Sequence, residues 1–122
     1  MGSEFVLVVD DDPGTRNLLS DALEAEGIRV RTANGVLRAI ESIYDGSRRP
    51  AVIITDLLMP QTSGWDFLKH LRSEPALQGV PIIVVTGVEP GEGAALADLV
   101  VLKPFDPVHL AEAVRSLLPK AT

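Results

Sequence analysis

The feature that most narrows the fold is an alternation. Short, uninterrupted apolar runs take turns with longer stretches whose apolar residues recur at helical spacing. Phe5-Val6-Leu7-Val8-Val9, Ala51-Val52-Ile53-Ile54-Thr55, Val80 to Val85 and Leu99 to Leu102 are apolar almost throughout, and Ile28 to Thr32 alternates. A strand that is apolar at every position is buried on both faces, as in a parallel sheet covered by helices on each side. Leu18, Leu19, Ala22, Leu23 and Ala25 mark a helix from Thr15 to Glu26 that Gly27 closes, and Val36, Ala39, Ile40 and Ile43 mark a second. Trp65, Leu68 and Leu71 give a third helical face, and Val108, Ala111, Val114 and Leu118 a last one. Successive β-α units with right-handed crossovers predict an α/β fold with a doubly wound, five-stranded parallel sheet flanked by helices. In such sheets ligands sit outside the carboxyl ends of the strands, near the point where strand order reverses.

A chain of 122 residues has room for one domain, and 46% apolar residues are enough to bury a core. The expected domain is 6–119, with 1–5 a cloning scar running into the first strand and 120–122 a tail. The net charge of −6, with Arg48-Arg49 as a very short basic run, argues against direct contact with nucleic acid. Without cysteine there are no disulfides or thiolate metal sites. No apolar run reaches the roughly 18 residues of a membrane span, and a cytoplasmic location is expected.

The polar residues fall where the apolar runs stop. The first strand ends at Asp10-Asp11, the third at Asp56, the fourth at Thr86 and the fifth at Lys103. One edge of the sheet therefore collects three carboxylates, a hydroxyl and an ammonium group. Carboxylates so close repel one another unless a cation joins them or a proton stays. A hard divalent ion with oxygen ligands, Mg²⁺ above all, meets that demand. Asp10, Asp11 and Asp12 could also be a plain turn and helix cap. That is the reading for Asp12, which stands before Pro13 where an N-cap belongs.

Four segments carry a resemblance: Val8-Val9-Asp10-Asp11-Asp12-Pro13, Thr55-Asp56-Leu57-Leu58-Met59-Pro60 with Gly64 downstream, Val85-Thr86-Gly87, and Leu102-Lys103-Pro104-Phe105. Together, in this order, they resemble the signatures of the receiver domain of two-component response regulators, from about Val6 to Leu118. The resemblance implies a flavodoxin-like strand order, 2-1-3-4-5. It implies Asp56 as phosphoacceptor and Asp11, Asp10, Asp56 and the main-chain carbonyl of Leu58 as ligands of Mg²⁺. Lys103 would pair with the phosphoryl group, Thr86 would donate a hydrogen bond to it, and the Lys103–Pro104 bond is a candidate for cis. The implied partners are a histidine kinase or histidine phosphotransfer protein as donor, and an effector protein or output domain as reader.

The chain also departs from the family. Val100 stands three residues before the lysine, where an aromatic switch residue is usual. Leu58 and Val88 flank the path of an attacking water where polar residues are frequent, so slow hydrolysis of the acyl phosphate is expected. The stretch from Gly87 to Leu102 is short by about one helical turn and carries Gly87, Gly91, Gly93 and Pro90, so the fourth helix should be short or poorly formed. These departures keep a second reading open: a pseudo-receiver that signals without phosphate. An aspartyl-phosphate phosphatase would need a carboxylate at position 58. A nucleotide- or flavin-binding fold would need a glycine-rich turn after the first strand. Trp65, Phe67 and Tyr44 are expected to pack, and His70 and His109 to be solvated.

Overall fold

The computed structural model describes residues 5–44, 49–59, 62–89 and 91–118. Met1 to Glu4, Arg48, Pro60, Pro90 and the tail beyond Leu118 lie outside the described residues. In chain order the elements are β1 (Val6–Val9), α1 (Pro13–Ala25), β2 (Val30–Ala33), α2 (Val36–Tyr44), β3 (Val52–Thr55), β4 (Leu58–Met59), β5 (Thr62–Ser63), α3 (Gly64–Ser73), β6 (Ile82–Thr86), β7 (Leu99–Leu102) and α4 (Pro107–Leu117). Single 3₁₀ segments span Pro75–Leu77 and Gly91–Leu96.

Five strands form one parallel sheet in the order β2-β1-β3-β6-β7, the expected 2-1-3-4-5. The sheet is doubly wound, and its pleat divides the core in two. Leu7, Val9 and Ile53 point to the side of Ala39 and Ile43 from α2 and Phe67, Leu68 and Leu71 from α3. Val6, Val8, Val52 and Ile54 point to the side of Leu19 and Leu23 from α1 and Leu110, Ala111 and Val114 from α4. Alternate residues of one strand thus serve opposite layers, which is why β1, β3 and β6 are apolar and buried at nearly every position. Burying each such side chain contributes about 1.5–3 kcal/mol.

The edges of the sheet behave differently. β7 was expected to be buried on both faces, yet Leu99 is 37% and Leu102 51% exposed. Among the described residues it pairs only with β6, and a 3₁₀ segment rather than an α-helix precedes it, so the expected weakness of the fourth helix is realised. β2 begins at Val30 rather than Ile28. The N–H of Ile28 donates to Leu23 O (3.1 Å) and that of Gly27 to Glu24 O (2.9 Å), with Gly27 at φ +78°. This Schellman closure of α1 uses the residue that would have opened the strand.

Some helical faces are rotated from the expected ones. Leu18 and Tyr44 are about half exposed, and Tyr44 Oη hydrogen-bonds Glu74 instead of packing in the core. Val108 lies in the first, solvent-facing turn of α4, and Leu110 takes the inward position in its place. Phe67 is buried and Trp65 partly so, packed against the same core. Phe5, grouped from sequence with the cloning scar that runs into the first strand, is buried; its carbonyl accepts the N–H of Ala51 (2.8 Å) and Arg31 stacks over its ring. A short antiparallel pairing of β4 with β5 was not expected at all.

Candidate functional site

Strand order reverses between β1 and β3, since the chain goes from β1 outward to β2 but continues beyond β3 to β6 and β7. Asp10 and Asp56 follow the paired residues Val9 and Thr55, so the register sets the two carboxylates side by side at that switch point. Main-chain hydrogen bonds hold both: Asp56 N–H donates to Val9 O and Asp10 N–H to Ala33 O, each at 3.1 Å. Lys103 follows Leu102, the register partner of Thr86, and its own N–H donates to Thr86 O at 2.8 Å. The Lys103–Pro104 peptide is cis.

The side chains of four residues converge. Lys103 Nζ donates to Asp56 Oδ2 at 2.9 Å and to Asp10 Oδ2 at 3.3 Å. Asp10, Asp11 and Asp56 each present a carboxylate oxygen within 4.8 Å of the others. Asp10 and Asp56 are buried and Asp11 is exposed, so the cluster has dry walls and one wet side. Burial pushes the Asp10 carboxyl above the ordinary carboxylate range and the negative charge of Asp56 adds to this, against the opposing N–H of Asp12 and charge of Lys103. Burial works to lower the Lys103 ammonium, but its bonds and proximity to Asp56 and Asp10 prevail and hold it above its usual value. The lysine ammonium thus sits against two carboxylates.

Thr86 is fully buried at the end of β6, and its hydroxyl oxygen accepts the N–H of Val88 (3.3 Å), which turns it toward its own loop. Leu58 lies at the start of β4, two residues past Asp56. Asp12 caps α1 as expected: Oδ2 accepts the N–H (3.0 Å) and the hydroxyl (2.7 Å) of Thr15, and this bonding draws its carboxyl below the usual range. His70 and His109 are exposed. Val100 is half-buried and packs against the core.

Two contributors were not singled out from sequence. Arg16 Nη1 donates to the carbonyl oxygen of Asp10 (2.8 Å), and the buried Thr55 hydroxyl donates to the carbonyl of Asp56 (3.0 Å). A basic residue four positions after an N-cap, one turn into a helix that starts at the site, was the available signal for Arg16.

Oxygen donors alone, two buried and one exposed beside a fixed cation, suit a hard divalent metal and a phosphoryl group rather than a soft metal. The family model of the response regulator receiver domain matches residues 6–115. Response regulator Rre1 of Synechocystis is 34% identical over 126 residues, covering 94% of this chain and 52% of that protein. The chain spans about half the length of the curated regulators it matches first. Among solved structures, chemotaxis protein CheY4 of Vibrio cholerae superposes with TM-score 0.83 at 31% identity, covering 94% of this chain and 98% of that one. Response regulator TrrA of Thermotoga maritima, determined in complex with Mg²⁺-BeF, gives TM-score 0.82 at 30% identity and covers 94% and 99%. With its fold, its acidic switch point and these likenesses taken together, the chain belongs to the response regulator receiver domains of two-component signalling.

Proposed function

We propose that this domain accepts a phosphoryl group on Asp56 from a phosphohistidine of a histidine kinase or phosphotransfer protein. The supporting observation is the contact of Lys103 with Asp56 and Asp10 beside a third carboxylate, which places a tethered cation at the acceptor. Asp10, Asp11 and Asp56, with the main-chain carbonyl of Leu58, are the residues that would hold Mg²⁺. When bound, the ion would offset negative charge on the phosphoryl oxygens.

In the transfer, a carboxylate oxygen of Asp56 attacks phosphorus in line. The bond from phosphorus to the donor imidazole nitrogen breaks, its electron pair stays on the ring, and an acyl phosphate forms. Lys103 exchanges a carboxylate partner for a phosphoryl oxygen. Thr86 rotates its hydroxyl from Val88 N–H toward the phosphoryl group and draws the loop after β6 with it. The added charge of about −1.5 to −2 biases that loop. Val100 has no aromatic ring to swing, so the reading surface for an effector or output domain is the loop and the Gly91–Leu96 segment. The proposed setting is the cytoplasm; among the described residues no helix is long and apolar enough to cross a membrane.

Acetyl phosphate or phosphoramidate with Mg²⁺, followed by intact-mass measurement, tests the proposal. The expected result is one added phosphoryl group that is absent in Asp56→Asn and absent with chelator. An unmodified chain under all of these conditions would overturn it in favour of the phosphate-independent module, to which Val100 and the missing helix point.

A further inference from the structure

We propose that Arg16 is a positioning residue for the metal site, acting through the peptide between Asp10 and Asp11. The inference rests on the metal-assisted reading of the site given above. The carbonyl that Arg16 grips at 2.8 Å belongs to that peptide, and rotation of the peptide would carry the Asp11 side chain with it. Asp10 needs little such help. It is buried, its N–H donates to Ala33 O, its Oδ1 accepts the N–H of Asp12 (2.9 Å) and its Oδ2 accepts from Lys103. Asp11 is exposed, and no hydrogen bond of its carboxylate is seen among the described residues. The direction of that carboxylate is therefore decided by the backbone beneath it.

The structure holds that backbone from both sides. Asp10 Oδ1 binds the N–H of Asp12 across the turn, and Arg16 binds the carbonyl from α1. Arg16 is itself anchored, because its N–H donates to Asp12 O (3.0 Å) in the first turn of the helix. Helix α1 thus sends one side chain back to the strand end from which it departs. Arg16 is half-buried, and its planar guanidinium supplies a directed donor to that carbonyl. Groups that orient a ligand in this way commonly change metal affinity about 10–100-fold when removed.

The test is a calorimetric titration of the intact chain with Mg²⁺, run on wild type, Arg16→Met, Arg16→Lys, Asp11→Asn and the Arg16→Met/Asp11→Asn pair. Arg16→Met is expected to weaken Mg²⁺ about tenfold, with Arg16→Lys recovering part of the loss. In the Asp11→Asn background the Arg16→Met penalty should largely disappear, because its object is gone. A merely structural role would lower the unfolding midpoint without this dependence on Asp11. With acetyl phosphate, the Mg²⁺ concentration for half-maximal phosphorylation should rise in Arg16→Met while the rate at saturating Mg²⁺ stays near that of wild type.

Unchanged Mg²⁺ affinity in Arg16→Met, or an equal penalty with and without Asp11, would overturn the inference while leaving the site reading intact. Where Arg16→Met does not fold, Arg16→Lys carries the same comparison, and wild-type affinity there and in its Asp11→Asn pair would overturn it. A wild-type chain that binds no Mg²⁺ would instead overturn the metal reading, before any variant is compared.

Discussion

Lys103 stands between two carboxylates that would otherwise face each other across the strand ends. Asp10 and Asp56 are both buried, and the ammonium between them offsets their mutual repulsion. The Lys103 side chain is 27% exposed. Its loss should cost more than the roughly 0–1 kcal/mol of a surface pair and less than the roughly 3–5 kcal/mol of a fully buried one. Lys103→Ala is therefore expected to lower stability by about 2 kcal/mol near neutral pH in urea denaturation. Added Mg²⁺ should restore much of that loss while phosphorylation by acetyl phosphate stays impaired. The acidic residues, the lysine and the cap at Asp12 were all legible as residues at strand ends. The hydroxyl of Thr86 facing its own loop was not, because a side-chain rotamer depends on neighbours that sequence order does not display.

Among the elements, the connection from β6 to β7 departs furthest from the regular β-α pattern. Among the described residues only a 3₁₀ segment forms there, yet its end is well held. Arg72, at the end of α3, donates through Nε to Leu96 O (2.8 Å), through Nη1 to Val80 O (3.3 Å) and through Nη2 to Asp98 (2.7 Å). Asp98 Oδ2 also accepts the N–H of Ile82 (2.7 Å). Burial pushes the Asp98 carboxyl upward, but Arg72 and the Ile82 N–H outweigh it and the net shift is below the ordinary value of 3.8. The contribution of this carboxylate is therefore complete above that ordinary value and is lost as pH falls through the depressed one. Asp98→Ala should destabilise the chain by about 1–2 kcal/mol at neutral pH, since it leaves an amide without its acceptor and the pair is partly screened by solvent. The gap between variant and wild type, followed by urea midpoints against pH, should narrow in acid. Glycines and a short spacing announced the weak fourth helix. Nothing in the spacing announced the clamp, which joins residues far apart in the chain.

For the whole molecule, metal binding and folding are linked if the site exists only in the folded chain. Asp10, Asp11 and Asp56 come from two different strand ends and meet only through the β1–β3 register. Mg²⁺ at 100 times its dissociation constant is then expected to raise stability by about 2.7 kcal/mol. In thermal unfolding the midpoint should rise with Mg²⁺ and fall back on chelation, with Asp11→Asn showing the smaller response. A similar rise in Asp10→Asn/Asp56→Asn would assign the effect to general screening of the −6 net charge instead.

The alternation of apolar runs and amphipathic stretches was enough by itself to establish a doubly wound parallel sheet, because a strand apolar at every position has no stable place except between two helical layers. The same pattern put the carboxylates and the lysine at one edge, since each follows the end of a run. Which residues are exposed at the sheet's two edge strands, and which helical faces turn inward, was decided only in three dimensions. Leu99, Leu102 and Val108 are as apolar as their buried neighbours, and their exposure follows from what the fold leaves uncovered. The grip of Arg16 on Asp10 and of Arg72 on the β6–β7 connection was likewise settled by tertiary structure. A long polar side chain takes its partner from whatever carbonyl or carboxylate packing brings within about 3 Å, and one sequence holds many candidates for that place.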